Sequence, residues 1–118
     1  MIKKHFYFLL IISIISVAFI DKPFLPTSLK ITVVDMDNNP VEGVAITLFG
    51  NEKDYRAETN KISTTQKTNA KGHVVFRKMK PRQYYIHATK GESSNIGESI
   101  LTNKLLEGRI NKVTTVLD

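Results

Sequence analysis

Residues 72–88 constrain this chain more than any other stretch. Apolar side chains stand at Val74 and Phe76, then again at Tyr84, Ile86 and Ala88. That is period-two alternation on both sides of a short basic connection that runs through Arg77, Lys78, Lys80, Pro81 and Arg82. Each half reads as a strand with one dry face, and the spacing predicts that the two fold back on each other as a hairpin. Parity then assigns the faces: Val74, Phe76, Tyr84 and Ile86 point inward, while His73, Arg77, Tyr85 and His87 share the outer face. Two strands cannot bury their own apolar face, so the rest of the chain must supply cover.

It does so with further strands. Leu29, Ile31 and Val33 alternate with Lys30, Thr32 and Val34, giving a half-buried first strand over 29–35. Asp37, Asn38, Asn39 and Pro40 form a turn cluster, and residues 44–49 are a β-branched second strand entered through Gly43. Residues 50–61 are polar and read as a loop with at most one helical turn. Residues 62–67 suit an edge strand, 99–101 a short strand, and 111–117 a Val/Thr strand with Val113, Thr115 and Leu117 on one side. No segment carries a convincing amphipathic helix. Seven short strands separated by turn signals predict an all-β fold, a seven-stranded antiparallel Greek-key sandwich over residues 29–118.

The N-terminal part follows different rules. Lys3 and Lys4 precede an apolar run over 6–20 that is broken only by Ser13 and Ser16. Fifteen residues fall short of the about 20 that a spanning helix needs and match the core of a signal peptide. Residues 1–18 therefore read as a signal peptide or short membrane anchor, with a cleavage position after Ala18. Residues 19–28, with Pro23 and Pro26, read as a semi-extended tether. The chain is expected to be exported (periplasmic, cell-surface or secreted), with membrane association through residues 6–20 where that segment is retained.

Charge and cysteine content narrow the function. The formal net charge is +6; setting aside Lys3 and Lys4 leaves 15 basic against 11 acidic residues, or +4. The basic residues are scattered and the chain is addressed outward, which argues against a nucleic-acid partner. Cysteine is absent, so packing alone must hold an exported domain of this size.

Several segments resemble a known family. Val33-Val34-Asp35, Asn39-Pro40-Val41-Glu42-Gly43-Val44, Ile46-Thr47-Leu48, Thr64-Thr65, Asn69-Ala70-Lys71-Gly72, Val74 and Phe76, and the stretch from Pro81 to Tyr84 resemble the carboxypeptidase regulatory-like domains. These are transthyretin-like, or prealbumin-like, β-sandwiches. The ending Asn111-Lys112-Val113-Thr114-Thr115-Val116-Leu117 is similar to that of small Bacteroidetes envelope lipoproteins built on such a domain. The resemblance implies a fold and leaves function open. Two departures stand out. The lipid-modified Cys of those lipoproteins is missing, and Arg82 follows Pro81 where the family usually has Gly.

Candidate sites are few. His73 and His87, on one hairpin face, would suit a two-imidazole metal or hydrolytic site, but no Cys and no carboxylate at ligand spacing completes it. The run from Asp35 to Asn39 opens like a calcium loop, yet its sixth position is Pro40 and its twelfth Ile46. The His/Arg pattern and C-terminal Tyr-Arg-Gly-Ser of the transthyretin-like hydroxyisourate hydrolases are missing, as are the paired Tyr and His-x-His of intradiol dioxygenases. An isopeptide bond of the kind in related adhesin domains would draw on Lys30 and Asn111, but Lys30 alternates outward. The expectation is thus a non-catalytic module of the bacterial envelope with no cofactor and no metal, contacting a protein or carbohydrate partner or serving a structural role. Its candidate contact residues are Tyr55, Arg56, His73, Arg77, Tyr85 and His87.

Overall fold

The computed structural model describes residues 25–118. The leader, the cleavage position and most of the tether lie outside the described residues. Strands β1 (Ser28–Val34), β2 (Ala45–Phe49), β3 (Gln66–Lys67), β4 (His73–Phe76), β5 (Tyr85–Lys90), β6 (Ser93–Ser94) and β7 (Ile110–Val116) are joined by loops and one short helix, α1 (Glu52–Ala57). They form two sheets. The first has the order β4-β1-β7 and the second β3-β2-β5-β6.

The alternation read from the sequence sets the core. Leu29, Ile31 and Val33 of β1 are fully buried, as are Ile46 and Leu48 of β2 and Ile86 and Ala88 of β5. Val74 and Phe76 join them from β4, with Tyr84, Leu105 and Leu117 closing the ends. Each such aliphatic or aromatic side chain contributes about 1.5–3 kcal/mol relative to exposure, so the sandwich coheres without a disulfide. Tyr84 is core as expected, and its hydroxyl is satisfied locally: it donates to the Lys80 carbonyl at 3.0 Å and accepts from the Lys80 amide at 3.1 Å.

The pairing departs from the expectation in three places. Most consequential, β4 and β5 do not form a hairpin. β4 pairs with β1 in the first sheet, Leu29 opposite Phe76, and β5 pairs with β2 in the second, Leu48 opposite Ile86. Residues 77–83 carry the chain from one layer to the other, with Lys78 in the left-handed region at φ 55°. The whole connection between β4 and β5, residues 77–84, easily spans the roughly 10 Å between packed sheets. The apolar residues on both sides do face the same core, but from opposite layers. Second, β1 and β7 run parallel, Ser28 opposite Ile110 through Val34 opposite Val116, where an all-antiparallel sandwich was expected. Third, residues 99–101 make only an isolated bridge, Tyr85 to Leu101, while the strand beside β5 is β6.

Two ends are tied more tightly than their sequence suggests. Thr27 and Ser28, read as tether, are buried; the Thr27 carbonyl accepts from the Met79 amide and its hydroxyl from the Gly108 amide. Gly72 sits at φ 76° beside β1, and a Cβ there would lie 2.5 Å from the Val33 carbonyl oxygen. That carbonyl accepts from Val41, and the Gly72 carbonyl accepts from the Val33 amide, so only glycine fits the crossing.

Candidate functional site

The split of β4 and β5 between sheets divides the six candidate residues into two groups on opposite outer faces. His73 and Arg77 belong to the face of the three-stranded sheet. Tyr55, Arg56, Tyr85 and His87 belong to the face of the four-stranded sheet, where α1 packs. The expected His73/His87 face therefore does not exist. Among the described residues no group of three or more His, Cys, Asp or Glu side chains is arranged to hold a metal ion.

On the four-stranded sheet, alternation sends Thr47 and Phe49 of β2 and Tyr85 and His87 of β5 away from the core. Phe49 is nevertheless only 2% exposed. The cover is α1. Asn51 caps the helix by accepting the Asp54 amide at 2.8 Å, and Glu58 ends it in the left-handed region at φ 54°. Glu52 and Arg56 pair across one turn at 2.9 Å, and that hydrogen bond, with the Arg56 charge, holds the Glu52 carboxyl below its ordinary value. The helix exists to place Tyr55. Its ring is fully buried and meets Phe49 edge-on at 6.2 Å, Tyr85 at 5.7 Å and His87 edge-on at 6.1 Å. Its hydroxyl donates to the Asn95 carbonyl at 2.5 Å. Burial raises the Tyr55 phenol above its ordinary range. Tyr55 thus belongs to a small second core and offers no surface to a partner.

Asn95 is the residue that sequence reasoning missed. It is 1% exposed in a stretch of Gly, Ser and Asn that reads as plain loop. Its side-chain oxygen accepts the Ala88 amide at 2.8 Å and its side-chain amide donates to the Ile86 carbonyl at 2.8 Å. One side chain continues the edge beside β5 where β6 stops. Phe49 was the available signal: an aromatic at an outward position of a strand requires something above it.

The three-stranded sheet presents a different surface. A groove of about 430 Å³ runs along its outer face, bounded by Lys30, His73, Arg77 and Arg109, with Leu25 and Ile110 as apolar walls. Among the described residues no acidic side chain lines it. Partial burial, then the neighbouring Lys30 and Lys71 ammonium groups, push the His73 imidazole below its ordinary value. The groove is concave, cationic and part-apolar, a shape and charge suited to an anion. Lys30 does not approach Asn111. Lys30 is opposite Lys112 in the register and Asn111 opposite the inward Leu29, so the two side chains leave opposite faces. The Asn111 amide instead donates to the Ser28 and Leu106 carbonyls.

Fold and groove together define a small two-layer β-sandwich with an open basic face. Sandwiches of this kind occur in bacterial pilins. A streptococcal ancillary pilin matches at TM-score 0.61 and 17% identity, covering 81% of this chain and 33% of that one. BcpA, the major pilin subunit of Bacillus cereus, matches at TM-score 0.52 and 17% identity, over 80% of this chain and 30% of that one. The pilus 2b backbone protein of group B streptococcus matches at TM-score 0.50 and 14% identity, over 77% and 40%. This chain therefore spans roughly a third of the length of each pilin, and the likeness is one of fold. No family model and no curated protein matches the chain.

Proposed function

We propose that this chain is a non-catalytic module of the bacterial cell envelope, exported and used for structure or for contact with a protein or carbohydrate. The observation that supports it is the sandwich itself, a fold it shares with three pilus proteins. The resemblance to carboxypeptidase regulatory-like domains and to small Bacteroidetes envelope proteins belongs to the same reading, as do the apolar run at 6–20 and its outward address. Of the candidate contact residues, Arg77, Arg56 and the half-buried Tyr85 and His73 keep side-chain surface for a partner. Tyr55 and His87 are committed to the aromatic cluster. The rival reading, a metal-dependent or hydrolytic site built on His73 and His87, loses its geometry because the two imidazoles lie on opposite faces.

The test is the address. Full-length chain with a C-terminal tag, produced in a bacterial host, is expected in the membrane or extracytoplasmic fraction and accessible to protease added to spheroplasts. Recovery from the cytoplasm as a soluble protein whose mass still includes Met1 would overturn the reading.

A further inference from the structure

The end of the sandwich at which the N-terminal stretch joins is its basic end. Leu25 and Pro26 form one wall of the groove that holds Lys30, His73, Arg77 and Arg109. A second cleft, of about 470 Å³, opens on the other side of Arg77 and carries Lys78, Lys80 and Arg82. Six cationic side chains thus surround the point where the chain leaves the domain, and among the described residues no carboxylate lines either cleft. The Arg–carboxylate pair among the described residues, Arg56 with Glu52, lies elsewhere. The far end of the sandwich differs: the cleft there holds Glu92, Glu98 and Asp118 and no basic residue.

Chain length fixes where this basic end can sit. The apolar run finishes at Ile20, five residues before Leu25, and five residues reach at most about 17 Å fully extended. If residues 6–20 insert into a bilayer, the basic end is leashed within that distance of its surface. Two exposed apolar side chains point from the same end: Leu25 at 57% and Ile110 at 59% exposure.

We propose that the basic end of the sandwich binds anionic phospholipid headgroups of the bilayer that residues 6–20 enter. The proposal rests on the export reading above, specifically on that run being membrane-inserted. Arg77 and Arg109 present planar forks suited to phosphate oxygens, Lys30, Lys78, Lys80 and Arg82 add charge, and Leu25 and Ile110 settle at the boundary between headgroup and acyl chain. A soluble acidic polysaccharide would meet the same cations, but the short leash favours the membrane.

The chain has no cysteine, so a single fluorophore can be placed at will. Full-length protein carrying Val75→Cys in the groove, or Glu92→Cys at the far end, is reconstituted in phosphatidylcholine vesicles with or without phosphatidylglycerol, each containing a headgroup-bound quencher. The expected result is quenching at position 75 that strengthens on the anionic vesicles, with position 92 unaffected. Arg77→Gln and Arg109→Gln should each lower the anionic preference about fivefold, and Arg77→Lys should keep it. Circular dichroism confirms that each variant is folded. Inserted protein with equal quenching on both vesicle types overturns the proposal and leaves the export reading standing. Protein that stays off both vesicle types overturns the membrane insertion of residues 6–20 and the proposal with it, and leaves export to the fractionation test above. Arginine-dependent binding to polygalacturonate, with position 75 unquenched on vesicles, overturns the membrane assignment in favour of a glycan.

Discussion

The two outer faces of this sandwich are made from similar strands and end in opposite states. On the four-stranded sheet the outward residues include Phe49, Tyr85 and His87, and α1 lies over them to complete an aromatic cluster around Tyr55. On the three-stranded sheet the outward residues of β1, β4 and β7 include Lys30, Thr32, His73, Lys112 and Thr114, and among the described residues nothing covers them. Cover follows from what the outward side chains require. Aromatic rings that would expose 150–250 Å² each recruit a helix, while lysines and threonines are satisfied by water or by a charged ligand. One face is closed by packing, and the other stays open to solvent.

That contrast can be broken by substitution. The largest effect is expected from Tyr55→Ala, which removes the centre of the cluster. It should cost about 3–5 kcal/mol, read from the denaturant midpoint; a loss under about 1 kcal/mol would mean that α1 is not part of the folded unit. Asn95→Ala comes next. It leaves the buried Ala88 amide and Ile86 carbonyl without partners, and a loss of roughly 2–3 kcal/mol is expected in equilibrium unfolding.

Tyr55→Phe keeps the ring and deletes only the bond to Asn95, so about 1 kcal/mol should go. The same variant sharpens the pH behaviour. Burial raises the Tyr55 phenol, so the folded protein holds its proton while the unfolded chain ionises near pH 10. The stability that Tyr55 contributes is complete below that pH and is lost as pH rises through the raised folded value. Thermal unfolding followed from pH 9 upward should therefore fall less steeply in Tyr55→Phe than in the parent, with Tyr84, raised for the same reason, supplying what remains. The smallest effects belong to the open face. Lys30→Ala and Arg77→Ala should each shift stability by no more than about 0.5 kcal/mol. A cost above 1 kcal/mol at either position would show that this face, too, is structural.

Much of the fold was legible in the residues, and the failures have a common cause. Alternation at Leu29, Ile31 and Val33, at Ile46 and Leu48, and at Val74, Phe76 and Ile86 identified the inward side chains correctly. Alternation states which side of a strand is dry. It does not state which sheet the strand joins. Val74 and Ile86 face one core whether their strands are paired or opposed across it, so the hairpin and the crossover predict the same pattern. The shared His73/His87 face was a consequence of choosing the hairpin. Asn95 and Tyr55 were hidden for another reason. Both sit in polar stretches whose burial is created by the tertiary fold, Asn95 by completing the edge of β5 and Tyr55 by lying over Phe49. The parallel pairing of β1 with β7 had no local signal at all, since no short-range pattern encodes a partner some eighty residues away.

That last pairing bears on how the protein comes to be folded. Ser28 and Asn111 are joined by a hydrogen bond across 83 positions of the chain, and β1 is the central strand of its sheet. A contact of such high sequence separation forms late and slowly. As the chain emerges in order from a ribosome or a secretion channel, β1 arrives among the first segments and waits, half-paired, until residues 110–116 follow. The sheet cannot close on a partial chain. Completion of the three-stranded sheet therefore depends on β7, the last of the described strands to be made.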